Sequence, residues 1–68
     1  MTVGSQVKQT IASLKNAQAT LKIYSIQSRS EESKKVLNEA VSTTAEIISG
    51  MEERLKKLEF EEPQYKSN

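Results

Sequence analysis

The sequence contains no cysteine and no histidine, and these two absences exclude several classes of function. Without cysteine the chain can form neither a disulfide nor a thiolate zinc site. Without histidine it lacks the commonest metal ligand and the commonest general base. A Ser-His-Asp hydrolase is therefore excluded, as is a di-metal site built in a helix bundle from Glu-x-x-His pairs. We expect a protein that is not an enzyme and that holds no metal and no cofactor.

Glycine, proline and aromatic residues are also scarce, with two Gly, one Pro and no Trp in 68 residues. The sequence has no Gly-rich phosphate loop and no basic stretch interleaved with aromatics, so nucleic-acid binding is not indicated. No apolar run approaches the ~20 residues of a membrane span, and no signal-peptide core follows Met1. These features predict a cytoplasmic protein. A chain this short rarely gains more than ~3–5 kcal/mol from its own core, so we expect oligomerisation.

The most regular apolar pattern predicts a helix from about residue 30 to residue 61, ended by Pro63. Its apolar residues recur at alternating steps of four and three, which places them on one face. Ala40 and Ile47 widen this stripe. Gly50 costs about 1 kcal/mol in a helix, and is either a tolerated surface residue or a point of close helix approach. The residues of the stripe are Leu37, Val41, Thr44, Ile48, Met51, Leu55 and Leu58.

A first helix is predicted over about residues 2–27 from the same spacing. Ile11 thickens its stripe, and Tyr24 is expected to be a packed ring with its hydroxyl in water. The two stripes centre about 130° apart, so one unbroken helix would split its apolar face. A turn near residues 27–30 lets both faces meet, with either a Ser28–Glu31 capping box or Ser30 as N-cap. The first stripe consists of Val3, Val7, Thr10, Leu14, Ala17, Leu21 and Tyr24.

The predicted fold is all-α: an antiparallel two-helix hairpin of coiled-coil type over residues 1–62, with a flexible polar tail at 63–68. Because two helices alone leave each seam half exposed, we expect a dimer of hairpins forming a four-helix bundle. The residues predicted to form the core and oligomer seam are Val7, Leu14, Leu21, Leu37, Val41, Ile48, Met51, Leu55 and Leu58.

Charged residues recur every seventh position on both helices, as Lys8, Lys15, Lys22 and Arg29 and as Glu32, Glu39, Glu46 and Glu53. Residues 1–30 carry no acidic residue. The two stripes are either ordinary solvated faces, contacts between sister chains, or, for the basic stripe, a lipid contact. The candidate partner contacts are Lys8, Lys15, Lys22, Arg29 and Tyr65.

Both ends of the chain resemble a family of short uncharacterised proteins of endospore-forming bacilli. The resemblance rests on the opening Thr2–Thr10 (TVGSQVKQT), on Ala12–Lys15 with Ala17–Ala19, and on the close Leu58–Lys66 (LEFEEPQYK). Members of that family are commonly encoded near the spore membrane-channel genes of sporulation stage five. The resemblance implies a sporulation setting in the forespore or spore and a membrane-protein partner, and it transfers no catalytic residue.

The sequence and the resemblance together predict a non-enzymatic interaction protein that binds itself and a protein partner at the spore membrane. The alternative is a peripheral membrane protein that lays its basic first helix on anionic lipid, helped by Ile23 and Ile26. Against this alternative, the basic stripe is only four residues long and the first helix has neither Trp nor Phe.

Overall fold

The computed structural model describes residues 3–61, which form two α-helices packed against each other, α1 (Val3–Gln27) and α2 (Glu31–Glu61). The predicted all-helical hairpin is confirmed. The chain measures 48 × 17 × 10 Å, so it is a single layer of two helices. Its Cα radius of gyration is 15.2 Å, against about 11 Å for a compact domain of this length. The predicted tail lies outside the described residues.

The turn between the helices consists of three residues, Ser28, Arg29 and Ser30. The backbone N–H of Ser33 donates to Ser30 Oγ at 3.2 Å, and that of Lys34 donates to the Ser30 carbonyl at 3.0 Å. These two bonds make Ser30 the N-cap of α2 and decide between the two capping arrangements that the sequence allows. Glu31 and Glu32 then occupy the first turn, where the helix dipole favours negative charge.

The stripe predicted on α2 contains the least exposed residues of that helix. Ile48 is 6% exposed, and the other six stripe residues are half-buried. Thr44, the one polar member, donates its hydroxyl to the Ala40 carbonyl at 2.7 Å. Its place among apolar residues therefore leaves no donor unpaired.

The stripe predicted on α1 is wrong by one residue at four of its seven positions. Val7, Leu14 and Leu21 are half-buried, but the other four residues of the predicted stripe lie at the surface. The row that turns towards α2 instead lies one residue later along the helix. The exposed row is Val3, Thr10, Ala17 and Tyr24, and the row facing α2 is Gly4, Ile11, Gln18 and Ser25.

Polar residues in the row that faces α2 explain this difference. Gln18 Nε2 donates to the Val41 carbonyl at 3.3 Å, and Ser25 Oγ donates to Asn38 Oδ1 at 2.6 Å. Ser25 is only 7% exposed, and this bond satisfies its hydroxyl. Because these contacts cross between the helices, polar side chains occupy positions that a hydrophobic pattern assigns to the surface. Tyr24 is consequently 55% exposed rather than packed.

Little apolar surface is removed from water by the hairpin. Within residues 3–60, whose side chains the structure describes, Ile11 and Ile48 are the two buried hydrophobic residues. Larger apolar side chains stay at the surface in both helices. Those that are at least 44% exposed are Val3, Ile23, Tyr24, Ile26, Val36, Ile47 and Phe60.

Candidate interaction surfaces

Two ion pairs mark one flank of the seam between the helices. Lys8 Nζ lies 3.5 Å from Glu59 Oε2, and Lys15 Nζ lies 3.1 Å from Glu52 Oε2. Each of these four residues directly follows a seam residue in the sequence, so all four lie on the same side of the hairpin. Glu31, Lys35 and Lys56 belong to the same side by helical spacing. We call this side the charged face.

The structure thus places the predicted basic stripe on the charged face and uses part of it within the chain. The side chains of Lys8 and Lys15 are 47% and 56% exposed, so each pair contributes no more than about 1 kcal/mol. Lys22 is exposed and lies seven residues after Lys15. The pairing that joins Lys15 to Glu52, continued by seven residues on each helix, sets Lys22 against Ala45. Arg29 is exposed in the turn, and the predicted contact Tyr65 lies outside the described residues.

Reversing the charge at Lys15 should destabilise the hairpin more than reversing it at Lys22. Lys15→Glu sets a carboxylate against Glu52, whereas Lys22→Glu faces the uncharged Ala45. We expect Lys15→Glu to lower the free energy of unfolding by about 0.5–1 kcal/mol and Lys22→Glu by less than about 0.5 kcal/mol. Urea unfolding measures both, and the difference should shrink in 1 M salt. Equal losses for the two variants would contradict the register.

The opposite side of the hairpin carries no charge along most of its length, and we call it the uncharged face. Its inner row, next to the seam, is Val3, Thr10, Ala17 and Tyr24 on α1 with Ser33, Ala40 and Ile47 on α2. Its outer row is Gln6, Ser13, Thr20 and Gln27 on α1 with Val36, Thr43 and Gly50 on α2. Apart from the half-buried Ala40, all of them are exposed. The charges that border this side are Glu32 near the turn and Arg54 and Lys57 near the open end.

The surface of the uncharged face is uneven, with shallow depressions between projecting apolar side chains. Gly50 is exposed, and a Cβ added there would meet nothing within 4 Å. A shallow depression of about 230 Å³ lies beside it, lined by Ile47, Gly50, Met51 and Arg54. A second depression of about 350 Å³ lies near the turn, lined by Glu32, Ser33, Val36 and Leu37. Val36 is 59% exposed and Ile47 is 49% exposed, so apolar side chains alternate with hollows.

The described part of the chain contains neither a candidate metal site nor a candidate membrane span. Between residues 3 and 61, no group of three or more acidic side chains is placed to hold a metal ion. Over the same residues, no helix is long and apolar enough to cross a membrane. The row Glu32, Glu39, Glu46 and Glu53 is exposed, which fits both a solvated face and a contact with another chain.

Sequence reasoning missed the uncharged face because it assigned the inner row of α1 to the seam. The signal was nevertheless present. Both rows of α1 at three- and four-residue spacing lack charge, and Ala40 and Ile47 widen the α2 stripe on the same flank. An apolar stripe broader than one partner helix requires is typical of a helix with two neighbours.

Comparison with known proteins gives a family and no activity. No curated protein and no solved structure was found to match the chain. A family model described as a protein of unknown function, DUF1657, matches residues 7–55. This match covers the turn and most of both helices, of the seam and of the uncharged face. The chain therefore belongs to the DUF1657 family of proteins of unknown function.

Proposed function

We propose that this chain is a non-enzymatic helical interaction protein that binds a second copy of itself, forming a four-helix bundle, and also binds a protein partner. The observation that carries the proposal is the imbalance between buried and exposed apolar residues. Two apolar side chains are buried within residues 3–60, while seven large ones are at least 44% exposed. A hairpin with so small a core gains stability from any protein surface that covers those residues.

The setting of the proposed interaction is sporulation, with a membrane-protein partner at the spore membrane. This part rests on the resemblance of Thr2–Thr10 and Leu58–Lys66 to small proteins of endospore-forming bacilli. A pulldown from sporulating cells with the tagged chain, compared with one from vegetative cells, tests it. Recovery of the same proteins from both would remove the sporulation part of the proposal.

The self-association part predicts a dimer or larger species at micromolar concentration. Light scattering coupled to gel filtration measures the mass directly. The melting temperature should also rise with protein concentration, because mass action stabilises an assembly whose monomer buries little apolar surface. A compact monomer whose melting temperature is independent of concentration would exclude self-association.

Peripheral membrane binding is the second candidate function. It is favoured by the absence of acidic residues before Glu31 and by the exposure of Ile23 and Ile26, at 52% and 80%. It is weakened by the ion pairs of Lys8 and Lys15, which engage half of the basic stripe within the chain. Each Lys near an anionic surface contributes about 1 kcal/mol. Co-sedimentation with phosphatidylserine vesicles at low salt would promote this candidate above protein binding.

A further inference from the structure

We propose that the uncharged face is the surface on which a second copy of the chain docks, face to face. The inference rests on the proposed self-association and adds to it the side of the hairpin that forms the interface. Four properties of this face favour it as the interface: its charge, the hydrogen bonding of its polar groups, its surface shape and its area.

Charge favours this side over the other. Between the turn and Gly50, the rows of the face carry no charge, so two copies can meet there without bringing like charges together. Glu32 near the turn, and Arg54 and Lys57 near the open end, would lie at the rim of such a contact. Two charged faces brought together would have to desolvate Lys22, Lys35 and Lys56 or the exposed ion pairs. Taking a charge out of water costs several kcal/mol unless it is paired again. The same absence of cations makes the uncharged face a poor surface for anionic lipid.

Two of the three threonines on this face have hydroxyls that are already satisfied. Thr10 Oγ1 donates to the Gln6 carbonyl at 3.0 Å, and Thr20 Oγ1 donates to the Asn16 carbonyl at 3.1 Å. A hydroxyl bonded to its own helix does not need water as acceptor. Covering these two residues therefore leaves no unpaired donor, which would otherwise cost about 1–3 kcal/mol.

The relief of the face suits close packing of a second helix pair. Ala17, Ala40 and Gly50 are small, and the exposed side chains of Val36 and Ile47 stand between them. Large side chains that enter hollows above small residues are how helix bundles reach native packing density. Gly50 costs its helix about 1 kcal/mol relative to alanine. No residue between 3 and 61 fills the space beside it, and close approach of a partner helix gives that space an occupant.

The area of the face is sufficient for a stable dimer. The 25 residues of α1 span about 37 Å at ~1.5 Å each, and the molecule is 17 Å wide. The projected side, with the open end that carries Arg54 and Lys57 included, is therefore about 600 Å² per copy, or about 1,200 Å² for two, against the ~1,000 Å² expected of a specific interface. A second copy is also present whenever the chain is present, so its docking stabilises the hairpin without any other protein.

A matched pair of substitutions on α1 tests the proposal. Ala17 and Ala19 are both exposed alanines, but Ala17 lies on the inner row of the uncharged face and Ala19 lies on the opposite side of the helix. Ala17→Glu should weaken the dimer at least tenfold in dissociation constant, because it buries an unpaired carboxylate in each copy. Ala19→Glu should leave the dissociation constant unchanged. Sedimentation equilibrium measures both, and circular dichroism checks that helix content is the same.

Crosslinking gives a second readout that does not depend on destabilisation. Ala17 lies near the middle of α1 and beside the seam, so it is close to a twofold axis that relates two such faces in either orientation. The chain has no cysteine of its own. Ala17→Cys treated with a short bis-maleimide should therefore give a covalent dimer, since packed helices lie about 8–10 Å apart. Ala19→Cys should remain uncrosslinked.

The outcomes separate this inference from the proposed function. Suppose that the wild type is a dimer and that Ala17→Glu and Ala19→Glu weaken it equally, or that neither weakens it. Either result overturns the uncharged face as the interface and leaves self-association intact. Dissociation by Ala19→Glu alone moves the interface to the charged side and also overturns the inference. A wild-type chain that is monomeric up to 100 μM removes both self-association and this interface.

Discussion

Replacing Ile48 with alanine is expected to lower the free energy of unfolding by about 2–5 kcal/mol, the usual loss for a buried aliphatic side chain. Ile48 is 6% exposed and is one of two buried apolar residues in the described side chains. A chain of this size has only a few kcal/mol of stability to lose. We therefore expect Ile48→Ala to be largely unfolded at low concentration, as measured by circular dichroism and urea titration. Ile48→Val, which removes one methylene, should cost about 0.5–1.5 kcal/mol and remain folded.

Ile47 provides the control for Ile48, because it is the preceding residue, has the same side chain and is 49% exposed. Ile47→Ala should cost little in dilute solution, where the hairpin is not covered. Its effect should grow with protein concentration if the uncharged face docks a second copy, since Ile47 lies on the inner row of that face. The loss from Ile48→Ala should be present at every concentration. Equal losses from the two variants in dilute solution would contradict the phase of α2.

Replacing Asn38 with alanine should destabilise the hairpin more than replacing its partner Ser25. Ser25 is 7% exposed and donates to Asn38 Oδ1 at 2.6 Å, while Asn38 is itself exposed. Asn38→Ala leaves a buried hydroxyl without this acceptor, which costs about 1–3 kcal/mol. Ser25→Ala removes the buried group and leaves an amide that water can reach, so its cost should stay within about 1 kcal/mol. Urea unfolding measures both single variants.

The double variant completes the cycle. Ser25→Ala combined with Asn38→Ala should be close in stability to Ser25→Ala alone, because no buried donor is left in either protein. Equal costs for the two single variants would contradict the prediction. That result would mean that the Ser25 hydroxyl turns back to a carbonyl of its own helix once Asn38 is removed, as serine side chains in helices do.

The sequence was informative about α2 because its seam is almost entirely apolar. Ile48, Met51 and Leu55 repeat at helical spacing, and the one polar member, Thr44, bonds to its own helix. The hairpin itself followed from the phase difference between the two stripes. The N-cap could not be chosen from sequence, because Ser28 and Ser30 both satisfy the chemistry of capping. Only the position of the Ser33 N–H relative to Ser30 Oγ decides between them.

The sequence misled in α1 because hydrophobic periodicity counts apolar side chains and not the hydrogen bonds that bury polar ones. Gln18 and Ser25 turn towards α2 because Val41 and Asn38 offer them acceptors. Those acceptors lie in the other helix, so no pattern within α1 indicates them. The neighbouring row, with Ala17 and Tyr24, is more hydrophobic, so the pattern assigns it to the seam. The same shift concealed the uncharged face.

The position of the seam on α1 relative to the seam on α2, across the three-residue turn, limits domain swapping between two copies. Ser25 lies in the seam of α1, and Lys34, half-buried, is in the first turns of the seam of α2. They are nine residues apart, about two and a half turns of a continuous helix. If the turn straightened, the two seams would lie on opposite sides of one long rod.

Such a rod could not cover both seams with a single partner helix. Domain swapping, in which short hinges open and identical elements trade places between copies, is a common hazard for hairpins. Here the opened form would leave about half of its apolar seam in water. From Ser25 to Lys34 the seam advances by nine residues, two more than the seven-residue repeat. This extra spacing at the turn therefore favours the closed hairpin over the swapped form. In the proposed dimer, two copies would therefore meet as closed hairpins.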